Sequence, residues 1–433
     1  MTQFVGYSQY QINTFVRAMI QNGNLIQKAE QGQEIELLLD VTPFYGESGG
    51  QVGDCGIISG DSFEIQIRDV KKPIENIFIH FGKVIKGIVQ SNVSCQAIVD
   101  IDTRMRTKKN HSATHLLHGV LRSALGNHLK QAGSLVTSQR LRFDFSHFEK
   151  ITDEKIVQIE RKVNETILYN HIVSTTITNL ENARKSGAMM MFDEKYGDSV
   201  RMVQMGSASI ELCGGTHVTT TGEIGSFKIL SESSVAAGVR RIEAVTGIDA
   251  FLLFQKISHT VEELSRKLSV NHDQIIDKVF RMSEDLKTKD HEISNMQKEQ
   301  NKNQVDSLSS QIRHYKLFSG KEVQAVSAMV NATNDTNLRE QADKLRDTIS
   351  SGVVALGSII DEKPRFVVAT TKDLITDQVN FHSGNIVREM SRICVGKGGG
   401  RPDFAQGGGT DSSKLEEAMN YVYEFIRTLT EMK

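Results

Sequence analysis

Long apolar runs, a basic leader and paired cysteines are all missing from this chain of 433 residues. No stretch approaches the roughly 20 apolar residues that a membrane helix needs, so no membrane partner is expected. The opening Met1-Thr2-Gln3-Phe4-Val5-Gly6 has no basic segment leading into an apolar one, which makes the cytoplasm the expected location. The four cysteines, Cys55, Cys95, Cys213 and Cys394, are widely spaced without a Cys-x-x-Cys pair, which speaks against a disulfide framework. A charge excess is missing too. With a net charge of -2 there is no global attraction to nucleic acid, and such a partner has to be met by local patches. What remains, 39% hydrophobic and 24% charged, is ordinary for a soluble globular protein of two to four domains.

Against that background two short pairs stand out, His111-x-x-x-His115 and Cys213-x-x-x-His217. The first lies in a stretch that reads as the opening turns of a helix over residues 110–125, with Asn110 as its N-cap. Spaced i and i+4, its two imidazoles share one helix face. In the second pair Gly214 and Gly215 let the backbone fold back so that a thiolate and an imidazole converge. One soft sulfur with three imidazole nitrogens favours a single zinc ion over magnesium or calcium. Each pair alone is weak: a helical His-x-x-x-His without the metalloprotease Glu is often two unrelated histidines. The zinc is either catalytic or structural, since four bound ligands close the tetrahedron. His118 reads first as a helix-face residue.

Basic residues crowd the approach to the histidines: Arg104, Arg106, Lys108 and Lys109, followed by Arg122, Lys130, Arg140 and Arg142, with Arg240 and Arg241 after the cysteine pair. Such a run is either a solvated face or a grip for a phosphate backbone beside the metal.

The chain divides into four stretches, an α+β multidomain architecture. Residues 1–100 alternate in short runs such as 34–39 and 62–68, the strands of a small barrel or sandwich, interrupted by the Gly-rich loop 42–54. Residues 101–250 mix helices (110–125, 153–170) with strands (140–145, 200–205) and hold both metal pairs. Residues 251–316 lack glycine and carry a narrow apolar seam through Ile257, Val261, Leu264 and Leu268, then Ile276, Val279, Met282 and Leu286. That spacing predicts two helices broken near Asn271, as a coiled-coil hairpin or dimer arm, or one amphipathic helix packed on a domain. Residues 317–433 return to a small α/β pattern carrying the glycine-rich run 396–409. It is neither a P-loop nor a dinucleotide fingerprint; with Lys397 and Arg401 it reads as a phosphate or nucleic-acid contact or as a mobile surface loop.

Together these motifs resemble the C-terminal portion of the alanyl-tRNA synthetases over essentially the whole chain. The resemblance rests on Thr42-Pro43-Phe44-Tyr45 with Glu47-Ser48-Gly49-Gly50-Gln51-Val52-Gly53-Asp54, on Asn110-His111-Ser112-Ala113-Thr114-His115, on Gly133-Ser134-Leu135-Val136 and Arg142-Phe143-Asp144-Phe145, on Cys213-Gly214-Gly215-Thr216-His217, and on Gly398-Gly399-Gly400-Arg401-Pro402-Asp403. It implies that 101–250 is an editing deacylase that removes serine or glycine from mischarged alanine tRNA. It matches His111, His115, Cys213 and His217 to zinc ligands and Gln131 to the editing pocket. Thr114, Gln131 and Thr216 are the candidates for holding a serine hydroxyl. The same resemblance implies that the arm and last domain support a homodimer and grip the tRNA body. The family's ATP-dependent aminoacylation module is expected to be absent from this chain, which leaves either an editing hydrolase, a tRNA-binding and dimerisation module with structural zinc, or half of a split ligase completed by a separate aminoacylation chain.

Overall fold

The computed structural model describes residues 1–189, 197, 199–376 and 381–430. They form a mixed α/β protein of two compact units, Met1–His272 and Asp273–Lys433.

The first unit begins with a closed six-stranded antiparallel barrel. Its order is Ser94–Val99, Gly56–Gly60, Phe63–Ile74, Ile77–Gln90, Glu34–Leu39 and Gln11–Gln21, which pairs back to Ser94–Val99. Alternation directs the packing: Ile35, Leu37 and Leu39 from one strand and Phe63, Ile65 and Ile67 from another fill the interior, while the residues between them face outward. Closure leaves the barrel without an open edge. Inside it, the buried His80 accepts or donates at Nε2 to Thr42 Oγ1 (2.8 Å) and donates from Nδ1 to the Leu37 carbonyl (3.1 Å). Burial pushes the imidazole down to about 4, against the opposing pull of the Leu37 carbonyl. A histidine held neutral in the fold takes up its proton more readily when unfolded. The barrel should therefore keep this contribution above pH ~6.5 and lose about 3 kcal/mol of stability as the pH falls to ~4. Urea unfolding across that range should show the slope, and the slope should vanish in His80→Gln.

Asp100 caps the helix that leaves the barrel, accepting from the Thr103 amide, and that helix, α1, runs over Ile101–Leu125 to a stop at Gly126. The expected start at Asn110 is thus nine residues late. Asn110 lies inside α1 with its side chain satisfied by tertiary partners, donating to the Thr137 carbonyl (2.8 Å) and accepting from the Thr246 hydroxyl (2.7 Å). A four-stranded antiparallel sheet, ordered Gln131–Val136, Leu141–Ser146, Val239–Thr246 and Phe227–Ala236, packs with α1 and with α2 (Asp153–Leu168) around Leu116, Leu117, Leu121, Phe143, Phe145 and Ile159. A second sheet joins Val173–Asn179, Ser199–Met205 and Ser209–Leu212, followed in the chain by the loop of Cys213. A short helix, α3 (Leu180–Lys185), flanks it. The unit closes with α4 (Gly247–Leu268), which ends on Ser269 in the left-handed region.

In the second unit α5 (Ile275–Ser309) precedes a six-stranded sheet ordered Arg313–Lys316, Glu322–Met329, Gly352–Ile360, Lys363–Thr370, Phe404–Gly408 and Lys397–Gly400. Helix α6 (Asp335–Thr348) covers one face; α7 (Ser383–Ile393) and α8 (Leu415–Thr428) cover the other. The break expected near Asn271 falls between α4 and α5. The glycine-rich run is corrected: residues 397–408 form an edge hairpin, not a loop. A methyl built on Gly398 or Gly407 would come within 2.4 or 2.5 Å of Ser391 Oγ on α7, so these glycines are needed for a helix to lie close on the hairpin.

Candidate metal centre

Helix α1 and the loop 213–217 bring the two pairs together. One ligand atom from each of His111, His115, Cys213 and His217 lies within 4.8 Å of the others. Cys213 Sγ is 3.4 Å from His111 Nε2 and 3.3 Å from His217 Nε2. An ion bonded to nitrogen at ~2.0 Å and sulfur at ~2.3 Å in a tetrahedron sets those edges at about 3.5 Å.

Each imidazole is oriented through its other nitrogen. His111 Nδ1 donates to Gln51 Oε1 (2.7 Å), His115 Nδ1 to Glu211 (2.8 Å) and His217 Nδ1 to Ser112 Oγ (3.1 Å). All three rings thereby turn an Nε2 lone pair toward the thiol. His115 Nε2 is buried with no hydrogen-bond partner among the described residues, a costly state that a metal ion would relieve. Burial opposes ionisation of the Cys213 thiol, but the His111, His217 and His115 rings outweigh it and hold the thiol well below its ordinary value. Burial pushes His217 down to about 3, leaving it neutral. Burial opposes protonation of His115, but Glu211 and the Cys213 thiolate outweigh it and hold that ring well above its ordinary value, so His115 gives up a proton when it ligates. An ionised thiol with imidazole nitrogens aimed at one point is a donor set that fits zinc.

Gln51 does more than hold one ring. Its Oε1 also accepts from the Thr216 amide (2.9 Å), and its Nε2 donates to Thr216 Oγ1 (2.9 Å). The barrel loop carrying it is seated on the strand Gln131–Val136, where Val136 N donates to the Gly50 carbonyl at 2.7 Å. A methyl on Gly50, at φ +80°, would stand 2.6 Å from the Ser134 carbonyl. Gln51, Ser112 and Glu211 were missed in the sequence. The signal available was general: a metal-binding imidazole needs a partner for its second nitrogen, and amides, hydroxyls and carboxylates near the ligands supply one. Gln51→Ala and Glu211→Gln should each lower zinc affinity 10- to 100-fold, measured by competition with a chromogenic chelator.

The other expected site residues fare unequally. Thr216 is buried at the centre, with its oxygen engaged by Gln51. Gln131 is half-buried opposite Phe145, on the sheet face that packs on α1. The Thr114 hydroxyl donates to the Asn110 carbonyl one turn back (2.9 Å), so what it can offer a substrate hydroxyl is its oxygen as an acceptor. Three of the basic residues are corrected. Arg104 has a side chain 0% exposed and spends its guanidinium on Asp54 and on the carbonyls of Gly6 (2.7 Å) and Pro43 (2.8 Å). Lys108 is buried and donates to the Tyr10 hydroxyl (3.1 Å), and Arg240 is nearly buried in a two-point pair with Glu232. Arg106 and Arg241 reach the surface but are paired with Asp249 (2.6 Å) and Asp144 (2.7 Å). Lys109 is half-buried near Gly247; Lys397 is exposed, and Arg401 is 79% exposed with Asp403 at 3.4 Å. A cleft of about 690 Å³ in the first unit is bordered by Ser123, Lys155, Lys162, Tyr169 and His171, and none of the four ligands lines it.

Comparisons with known proteins match three parts of the chain. Residues 1–103 match a family described as tRNA synthetases class II (A), residues 200–243 the threonyl and alanyl tRNA synthetase second additional domain, and residues 322–428 the DHHA1 domain. The first match qualifies the expectation that the ATP-dependent aminoacylation module is absent from this chain, since a class II synthetase model overlaps it over the barrel. An alanine-tRNA ligase of Clostridioides difficile is 43% identical over 429 residues, 98% of this chain and 48% of its own length. One from Bacillus subtilis is 40% identical over 426 residues, with the same shares. The chain thus spans about half the length of the curated relatives it matches. Among solved structures, the C-Ala domain from Aquifex aeolicus alanyl-tRNA synthetase is 26% identical, covering 28% of this chain and 99% of that one at a TM-score of 0.23.

Proposed function

The chain belongs with the alanine-tRNA ligases as their C-terminal part, and from that premise we propose that it is an editing deacylase, hydrolysing the ester between a wrong amino acid, serine or glycine, and the terminal adenosine of alanine tRNA. The observation that carries this is the gathering of three Nε2 atoms and one thiolate, with every second ring nitrogen already held. An aminoacyl ester is activated, so hydrolysis needs no protein nucleophile. Bound to His111, His115, Cys213 and His217, zinc would supply Lewis-acid polarisation. The chain's own residues do the rest. Gln51 fixes the Thr216 oxygen from one side, so the Thr216 hydroxyl keeps its proton to donate toward a serine side chain. Together with Gln131 it would favour serine over alanine, which offers no hydroxyl and would leave a buried polar group unpaired.

One feature favours a second reading, a structural zinc in a tRNA-binding module: all four groups are within reach of one ion. Deacylation of serine-charged alanine tRNA by the full chain, before and after chelation, separates the two. Chelator-sensitive turnover with an intact far-ultraviolet spectrum supports the hydrolase; no turnover by the zinc-loaded chain supports the module.

Lys109, Lys397 and Arg401 remain proposed tRNA contacts, and the relatives' ligase activity is proposed only for a protein that also contains an aminoacylation module. The exposed Ile276, Val279 and Leu286 of α5 support a dimer arm, one of the alternatives their spacing leaves open, and with it the homodimer that the family resemblance implies.

A further inference from the structure

The ring of Tyr7 stands 46% exposed beside the metal centre and is held there from three directions. Its hydroxyl donates to the Gly214 carbonyl at 2.7 Å, the Arg201 guanidinium lies 4.3 Å from its centroid, and Phe4 meets it edge-on at 5.0 Å. Arg201 is fixed in turn, donating to the carbonyls of Cys213 (2.8 Å) and Gly215 (3.0 Å). Two flat, rigid groups therefore frame the loop 213–217 without contributing a ligand. Between them Gly214 is exposed, and a methyl built on it would meet nothing within 4 Å. Cys213 is only half-buried while the three histidines are buried, so this is the open side of the centre.

We propose that Tyr7, backed by Arg201, is the platform on which the terminal adenine of the substrate stacks while its ester reaches the metal centre. This rests on the deacylase reading above. Base and ester share one ribose, so whatever holds the base must stand directly beside the ligands, and Tyr7 is tied to the residue that follows Cys213. A single-stranded end is gripped by stacking on an aromatic face with a guanidinium close by, and the pair supplies both. Phe4 and Arg201 restrict the ring, so little freedom is lost when a base settles on it.

The test uses the full chain and alanine tRNA carrying 2-aminopurine in place of the terminal adenine. The wild type should quench the fluorophore on binding, Tyr7→Phe should keep the quench, and Tyr7→Leu should lose most of it. With serine-charged tRNA, Tyr7→Leu should raise KM about tenfold while kcat and zinc content stay within about twofold. A quench that survives Tyr7→Leu, or one that is missing in the wild type, overturns the proposal. So does its loss in Tyr7→Phe, which would assign the residue to holding the loop. Failure of the wild type to hydrolyse the serine ester would sink the deacylase reading instead, and the quench alone would then decide the platform.

Discussion

Cys213→Ala is expected to abolish chelator-sensitive deacylation, lowering kcat/KM by about 10³-fold or more, because it removes the one anionic ligand of the centre. Sulfur is the atom that both His111 and His217 face, and it also accepts from the Gly215 amide at 3.3 Å. Without it three imidazoles remain and no thiolate, a weaker set for zinc. Metal content of the purified variant, read by atomic absorption, should fall together with activity. The far-ultraviolet spectrum should stay that of the wild type, since the loop is still held by Arg201 on two carbonyls and by Gln51 on Thr216. Full zinc content with lost activity would mean that the thiolate acts on the substrate and not as a ligand. Full activity would end the zinc-centred reading.

Arg104→Met should destabilise the first unit by about 3–5 kcal/mol, the loss usual when one partner of a buried ion pair is removed. The guanidinium joins Asp54 of the barrel loop to α1, and the carbonyls of Gly6 and Pro43 complete its bonding. Its removal would strand the Asp54 carboxylate, which is left with the Tyr45 amide at 2.6 Å. Urea unfolding followed by circular dichroism measures the loss. The double variant Arg104→Met with Asp54→Leu should recover much of it, because neither charge then remains buried alone. A loss below ~1 kcal/mol in the single variant would show that water reaches the pair.

The elements of this fold were legible wherever one periodicity dominated. Strands such as Glu34–Leu39 and Gly352–Ile360 announce themselves by alternation or by a continuous apolar run, and α2 and α8 by their one-sided apolar face. Helix α1 was harder, because it is buried on nearly all sides and mixes Arg104, Lys108, Asn110 and three histidines with leucines. Nothing local marks its start as Asp100 and not Asn110; the choice is made by Thr137 and Thr246, distant residues that satisfy the Asn110 amide. The two pairs could be singled out because their chemistry is distinctive, and α1 and the loop 213–217 bring them together. The basic residues could not be sorted, since a surface arginine and one folded into an ion pair look the same in a sequence. Which lysines and arginines keep their charge for a partner depends on where Asp54, Asp144, Glu232 and Asp249 come to rest.

Gln51 belongs to the barrel by chain order, yet its carboxamide is part of the wall around His111 and Thr216. Cutting the polypeptide between Asp100 and Ile101, where the strands give way to the long helix, would separate two tidy shapes and leave the half that holds the four candidate ligands with a missing brick. Any shuffling of modules that kept this chemistry would have to move both pieces as one cassette.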